Sequence, residues 1–394
     1  MPDSAFRQRR AVVVSTLGIT QTLAWGSTYY LTAVFADPVS ASLHLPRIWF
    51  FGIFSGALLL SGLFGPLAGR WIDRYGGRDV LAGTSLVFAA GLVLLALAQG
   101  PAGLAAAWLV IGTGMGFGLY EAAFATAAGL YGREARSAIT GITLFAGFAS
   151  TIGWPLSAVF IHLFGWRGAC LAWAALHLLV GLPLNRLLVP KARPASPPPV
   201  HAPGQRAQLS GTMIMLAGIF GATWFVATAL AAHLPHLLEA MGATPAAAIA
   251  AGAFVGPAQV AARLAEFGLL RKASPLFSAR LAAGLHPLGT VLLVIFGAPM
   301  AVPFVLLHGA GNGLLTIARG TLPLTLFGPA GYGLRTGLLA APSRILQGFA
   351  PLLFGLVLDR AGPLYALGLS GGLMALSLIA LCVLRSAPSA AEAA

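Results

Sequence analysis

Gly65-Pro66-Leu67-Ala68-Gly69-Arg70-Trp71-Ile72-Asp73-Arg74-Tyr75-Gly76-Gly77-Arg78 passes abruptly from a glycine-rich apolar run into a short, densely charged loop. An apolar segment of membrane length lies on either side of it. Each residue type has a physical task. Gly65 and Gly69 let two helices approach closely, Asp73 suits the positive N-terminus of a neighbouring helix, and Arg70, Arg74 and Arg78 hold the loop at a cytoplasmic surface. With Gly76 at the turn, such a loop suits a latch between two conformations.

The rest of the chain gives the loop its setting. Hydrophobic residues make up 58% of 394 positions, charged residues 8%, and the mean hydropathy is +0.86. That much apolar surface does not fit inside one soluble core, so the chain reads as an integral membrane protein. The net charge of +13 does not mark a nucleic-acid surface, because the basic residues fall in short loops between apolar runs. The two cysteines, Cys170 and Cys382, lie far apart inside apolar segments, so neither a disulfide framework nor a metal cluster is expected. The first apolar run, residues 11–34, follows Arg7, Arg9 and Arg10 as a secretory signal would. It is too long for one, lacks a convincing small-residue cleavage site, and reads as the first span.

At about twenty residues per crossing, spans are expected near 12–36, 48–70, 80–99, 102–129, 137–163, 167–188, 210–238, 246–269, 276–296, 300–327, 333–358 and 363–385. The runs lack period-two alternation, so they read as helices. Of the 23 basic residues, seventeen fall on one side of this arrangement, and only Arg47, Arg167 and Arg360 on the other. The positive-inside rule then places both termini in the cytoplasm. Arg263, Arg319 and Arg344 fall within spans. A proline-rich polar stretch at 190–209 reads as an extended cytoplasmic linker between residues 1–189 and 210–394. The two sides look like diverged copies. Gly112, Gly114 and Gly116 recur as Gly309, Gly311 and Gly313, Pro155 recurs as Pro351, and Gly65-Pro66 with Arg70 and Asp73 is echoed by Gly256-Pro257 with Arg263 and Glu266.

Residues 65–78 resemble the loop 2-3 signature of the major facilitator superfamily, G-x-L-A-[DG]-R-x-x-D-R-x-G-R-[RK], and the duplication agrees with it. The resemblance implies an all-α membrane protein of twelve transmembrane helices in two pseudo-symmetric six-helix bundles. It further implies alternating access by rocking of the halves, and a site near the midplane.

Polar residues inside the spans are the functional candidates. Glu121 is the acid placed well within the hydrocarbon, where a carboxylate costs roughly 2.5 to 3.5 kcal/mol on insertion scales. It must be protonated, paired or wet, and it is the proton-coupling candidate, against the alternative of a permanent structural ion pair. Arg319 lies one residue from the repeat equivalent of Glu121. It is expected either to pair with it in one conformation or to grip an anionic substrate. Asn312, Thr316 and Arg319 share a helix face by spacing. Gln259-Val260-Ala261-Ala262-Arg263 resembles the [DN]-x-x-x-R element of monocarboxylate transporters, which implies that Arg263 anchors a substrate carboxylate. Gln259 departs from that pattern, and the repeat offers the alternative that Arg263 and Glu266 form a degenerate second latch. Gln21, Trp25, Thr28 and Tyr29 form a polar-aromatic stripe in the first span. Trp25-Gly26-Ser27-Thr28-Tyr29-Tyr30 also resembles the first helix of bacterial monocarboxylate-type members. Tyr29 and Tyr120 are candidate substrate contacts, with Arg344 and Gln347, Trp224 and Thr228 behind them. His233 and His236, separated by Pro235, read as interfacial or packing residues before metal ligands, and His286 and His308 are left unassigned.

No nucleotide-binding or hydrolase motif is present, so an enzyme is not expected and no cofactor is called for. The expectation is a secondary transporter driven by protons, moving a small organic anion or monocarboxylate across a bacterial inner membrane as a monomer. Its partners are the substrate, protons and the lipid bilayer. Proton-driven efflux of drugs or toxicants, metalloids included, is the alternative. A non-transporting membrane sensor is a distant third, since it calls for a soluble signalling domain or a long tail.

Overall fold

In lipid a backbone without internal hydrogen bonds is costly, and apolar runs of this length satisfy themselves only as helices. The computed structural model describes residues 2–191 and 210–384, and all regular structure among them is helical. Residues 192–209 of the expected linker and the tail with Arg385 lie outside the described residues.

The elements are α1 (Pro2–Gly26), α2 (Leu31–Ser42), α3 (Arg47–Tyr75), α4 (Gly77–Leu97), α5 (Pro101–Gly118), α6 (Tyr120–Tyr131), α7 (Ala135–Ala146) and α8 (Ala149–Leu176). Two π-turns, His177–Gly181 and Leu184–Leu188, continue α8. After the linker come α9 (Gly211–Ala240), α10 (Pro245–Gly252), α11 (Val255–Gly268), α12 (Pro275–Phe296), α13 (Ala301–Phe327), α14 (Tyr332–Ala361) and α15 (Pro363–Val383). Among the described residues, 10 segments are long and apolar enough to cross a membrane. Large apolar side chains such as Leu63, Leu179 and Leu187 stand exposed on them, as suits a surface solvated by lipid.

Helix ends follow local chemistry. Ser210 and Ser274 accept from the backbone N–H of Met213 and Phe277 and cap α9 and α12, and proline opens α5, α12 and α15. Gly76 joins α3 directly to α4 at φ 82°, a left-handed conformation that costs glycine nothing.

Four expected spans are interrupted. The first ends as a helix at Gly26, where the Ser27 and Thr28 hydroxyls donate back to the Ala24 carbonyl and compete with the helical ladder. Thr28 and Tyr29 therefore sit in a turn, and the helical stripe expected from Gln21 to Tyr29 is not formed as such. The fourth breaks at Leu119, whose ψ is −165°. The fifth pauses at Gly147 and Phe148, and the eighth at residues 253–254. Interrupted helices place free backbone groups at membrane depth, which is tolerated only where protein or water satisfies them.

Packing divides the chain into two units, residues 1–206 with 329–348, and 207–328 with 349–394. Each seats its glycine triplet in the same way. In the first, a Cβ added at Gly112 or Gly116 would meet the Ala57 and Ser61 carbonyls of α3, and one at Gly114 the ring of Phe88 in α4. In the second, Gly309 and Gly313 lie against Val255 and Gln259 of α11, and Gly311 against Ala282 of α12. The outer two glycines thus form a small-x-x-x-small face and the middle one serves a second neighbour. A leucine at Gly313 would begin with its Cβ 2.5 Å from the Gln259 oxygen. We expect Gly313→Leu to cost at least about 1 to 3 kcal/mol, read as a lowered melting temperature in detergent. Gly256→Ala, which meets nothing within 4 Å, should leave that temperature unchanged.

Candidate functional site

In the first unit the charged loop finds a helix end. Asp73 Oδ1 accepts from the backbone N–H of Gly333 and Oδ2 from that of Leu334, both at 2.9 Å. These are donors of the first turn of α14, which no intrahelical carbonyl can serve. Arg335 lies close enough for its charge to act on Asp73. The sequence motif gave no sign of this partner, because it comes from 262 residues downstream. Arg74 instead covers the Tyr75 ring, Arg78 donates to Asp79, which also pairs with Arg186, and Arg70 is exposed. Behind Asp73 the two helices touch through backbone. A Cβ on Gly62 would lie 3.2 Å from the Ala341 oxygen and one on Gly65 3.2 Å from the Gly337 oxygen, while one on Gly69 would overlap the Gly333 carbonyl. The contacts descend along α14 as they ascend along α3, so the pair is antiparallel.

Glu121 stands in the first turn of α6, immediately after the Leu119 break, where the helix N-terminus favours a carboxylate. Its Oε2 lies 3.3 Å from Nη2 of Arg344, and Nη1 of Arg344 donates to Gln347 Oε1 at 3.2 Å. The arginine side chain is 3% exposed and the glutamate 23%. Trp25 organises the surroundings. Its ring is 5.6 Å from the Arg344 guanidinium carbon, 5.5 Å from Tyr29 and 5.0 Å from Tyr120. Three candidates scattered over more than three hundred residues of sequence, Tyr29, Tyr120 and Arg344, thus converge on one indole. Removing one partner of a buried pair strands the other charge at a cost of about 3 to 5 kcal/mol.

In the second unit Arg263 is buried at 4% exposure. Nη2 makes only long contacts, 3.4 Å to Gln259 Oε1 and 3.5 Å to Thr316 Oγ1, and neither Nε nor Nη1 has a hydrogen-bond partner among the described residues. Gln259 and Thr316 therefore meet Arg263, and Thr316 also donates to the Asn312 carbonyl one turn back. Arg319 lies with its guanidinium carbon 3.6 Å from the centre of the Trp224 ring. Glu266, the residue echoing Asp73, is buried and accepts from Ser278 Oγ at 2.7 Å. Burial makes it a second acid inside the protein, in addition to Glu121. His233 is bonded to the Pro351 carbonyl and His236 faces Asp359 at 3.7 Å, so the two do not converge. His286 and His308 form a buried pair, Nδ1 to Nδ1 at 3.1 Å.

Apolar spans whose interiors hold oriented charges, and whose helices break beside those charges, define a membrane transporter. The chain belongs to the major facilitator superfamily, whose family profile, "Major Facilitator Superfamily", matches residues 15–322. It is 28% identical over 344 residues to human monocarboxylate transporter 11, covering 82% of this chain and 71% of that one. It is 30% identical over 311 residues to an uncharacterised 38 kDa protein in the 23S RNA operon of Thermoproteus tenax, covering 79% and 77%. Among solved structures, the fucose transporter FucP in its outward conformation is similar with a TM-score of 0.76 at 14% identity, covering 95% and 99%. The human organic anion transporter MFSD10 gives 0.72 at 18%, covering 95% and 99%. At such identities the likeness is one of fold. The chain is thus a multi-pass membrane transporter and not an enzyme.

Proposed function

We propose that the protein carries a small organic anion, a monocarboxylate in the simplest case, together with a proton, by alternating access. The observation that supports this reading is the Glu121–Arg344 pair. A carboxylate cargo can take over the Arg344 guanidinium without a net charge penalty only when Glu121 has accepted a proton, so anion and proton move as a neutral couple. Arg263, buried with two N–H edges unpartnered, is a second anchor whose fork fits a carboxylate. Human monocarboxylate transporter 11, which the sequence resembles, and the fold neighbour MFSD10, an organic anion transporter, point the same way.

The architecture proposed with it is twelve crossings in two pseudo-symmetric halves, 1–189 and 210–394, joined by the 190–209 linker. The Ala135–Leu188 run has 54 residues, about 80 Å as one helix, which exceeds two hydrocarbon thicknesses and requires a second crossing. Gly165, at φ 66° and ψ 171°, marks the change of direction. Helices α1 and α2 supply the remaining crossing. The distribution of basic residues among the loops supports a cytoplasmic position for both termini, in a bacterial inner membrane on this reading. Asp73, Gly65, Gly69 and Gly76 with Arg70, Arg74 and Arg78 serve as the latch. Tyr29 and Tyr120 in the first unit, and Gln259, Asn312 and Arg319 in the second, are the further candidate substrate contacts.

Thermal-shift titration of purified protein with a carboxylate panel tests the reading. Arg263→Ala should weaken stabilisation by a bound carboxylate at least about 10-fold, equivalent to 1.4 kcal/mol. Arg263→Lys should recover part of it, since the charge returns without the fork. Stabilisation by carboxylates that is untouched in both Arg263→Ala and Arg344→Ala would remove the anion argument.

A further inference from the structure

Within the first unit lies a water-sized cavity at the C-terminal end of α5, on the opposite side of the Leu119 break from the helix end that carries Glu121. Two carboxamides line it, Gln21 at 1% exposure and Asn185 at 4%. Their amide nitrogens are committed elsewhere. Gln21 Nε2 donates to the Gly118 carbonyl at 2.7 Å, and Asn185 Nδ2 donates to the Leu81 carbonyl and Ser85 Oγ at 3.4 and 3.3 Å. Gln21 Oε1 and Asn185 Oδ1 are consequently buried acceptors without a donor among the described residues. A buried acceptor left without a donor is destabilising.

The hydroxyls around them have the same polarity. Thr20, Thr84 and Ser85 also line the cavity, and each spends its hydrogen on a backbone carbonyl, those of Leu17, Val80 and Leu81. What they present inward is lone pairs. The half-helix α5 ends here, and its terminal carbonyls carry the negative end of the helix dipole. Among the described residues of the lining, His177, whose Nε2 is bonded to Ser27 Oγ, is the titratable side chain, and no carboxylate, lysine or arginine belongs to it.

We propose that this cavity binds a monovalent alkali cation, Na⁺ in the first place, through neutral oxygens. Hard cations take oxygen ligands, carbonyl oxygens replace the hydration shell of alkali ions, and the C-terminal ends of broken membrane helices suit them electrostatically. A single bridging water satisfies two acceptors with its two hydrogens, whereas a cation satisfies the whole inward-facing set. This inference is independent of the proton reading, because it uses neither Glu121 nor Arg344. An ion held at the Leu119 break gives the transporter a Na⁺ dependence beside its proton dependence.

The test uses the purified full-length protein at fixed pH and ionic strength, with NaCl, KCl or choline chloride, reading thermal unfolding and binding of radioactive ²²Na⁺. The expected result is a saturable rise in melting temperature with Na⁺ that choline does not give, together with stoichiometric ²²Na⁺ binding. Gln21→Leu and Asn185→Leu should each abolish both signals. Because leucine can disturb packing at these sites, Asn185→Asp serves as the second variant. A carboxylate of the same shape should tighten ²²Na⁺ binding by about tenfold or more. Glu121→Gln should bind ²²Na⁺ as the native protein does, which separates failure of this site from failure of the proton mechanism. Stabilisation in KCl alone would assign the cavity to K⁺ within the same chemistry. Equal stability in all three salts with no ²²Na⁺ bound, or binding that survives both leucine variants, overturns the proposal and leaves a bridging water in its place.

Discussion

Glu121→Gln should abolish proton-driven accumulation of cargo while leaving downhill exchange intact. One pH unit across the membrane is worth 1.36 kcal/mol per proton. A one-to-one symporter can therefore concentrate its cargo up to about tenfold per unit, and a variant that carries no proton can only equilibrate it. Glutamine keeps the shape of the side chain beside Arg344 but not its charge, so the guanidinium, 3% exposed, is left with excess positive charge. A stranded buried charge costs about 3 to 5 kcal/mol. An anionic cargo relieves that cost. The variant should accordingly be less stable without ligand and gain more stability on binding a carboxylate. Its carboxylate binding should also no longer be coupled to a proton at this position, because glutamine neither gives nor takes one. Measurements in proteoliposomes and by thermal shift read these effects separately. Accumulation that still follows the pH gradient in the variant would end Glu121's role as carrier of the proton.

The second large effect is expected at the backbone contact between α3 and α14. Gly69→Val places a branched side chain where a single Cβ already overlaps the Gly333 carbonyl, and the obstruction is backbone on both sides, so no rotamer relieves it. The contact should be lost outright, with transport falling at least about 100-fold, the equivalent of 2.7 kcal/mol, at the upper end of the usual cost of overpacking. Cysteines at Gly62 and Ala341, the end of the seam where Ala341 already carries a Cβ and a Cβ on Gly62 would lie 3.6 Å from the Ala341 Cα, provide the complementary experiment. If the contact must separate in every cycle, an oxidant that bridges them should stop transport and a reductant should restore it. Transport indifferent to the bridge would show that α3 and α14 stay together and that the loop is not a latch.

Much of this was legible in the sequence, for identifiable reasons. Membrane helices announce themselves through length and hydropathy, because lipid leaves the backbone no alternative. The glycine triplets announced their packing, because only small residues permit backbone contact. The interruptions were less visible. Gly165 is one glycine among 50, and Leu119 has no special residue type, so composition does not separate them from their neighbours. The partner of Glu121 was also hidden. Pseudo-symmetry drew attention to Arg319, whereas the pair in the structure is formed by Arg344, 223 residues away. Asn185 gave no sign at all, since its importance lies in which end of its amide is already occupied. Such properties belong to neighbours in space, and sequence patterns record neighbours along one helix.

The seam formed by Gly62, Gly65 and Gly69 against Ala341, Gly337 and Gly333 bears on how fast such a machine can run. Interlocked side chains must leave their rotamer wells before two surfaces part, and that unlocking adds to the barrier. Where the join is main chain against main chain, at Gly65 and Gly69, there is almost nothing to unlock. Its hold resides in the two bonds to Asp73 and in dispersion, both of which reform as soon as the surfaces meet again. Grip and turnover are thereby set by different residues, and a chain under selection can tune one while sparing the other.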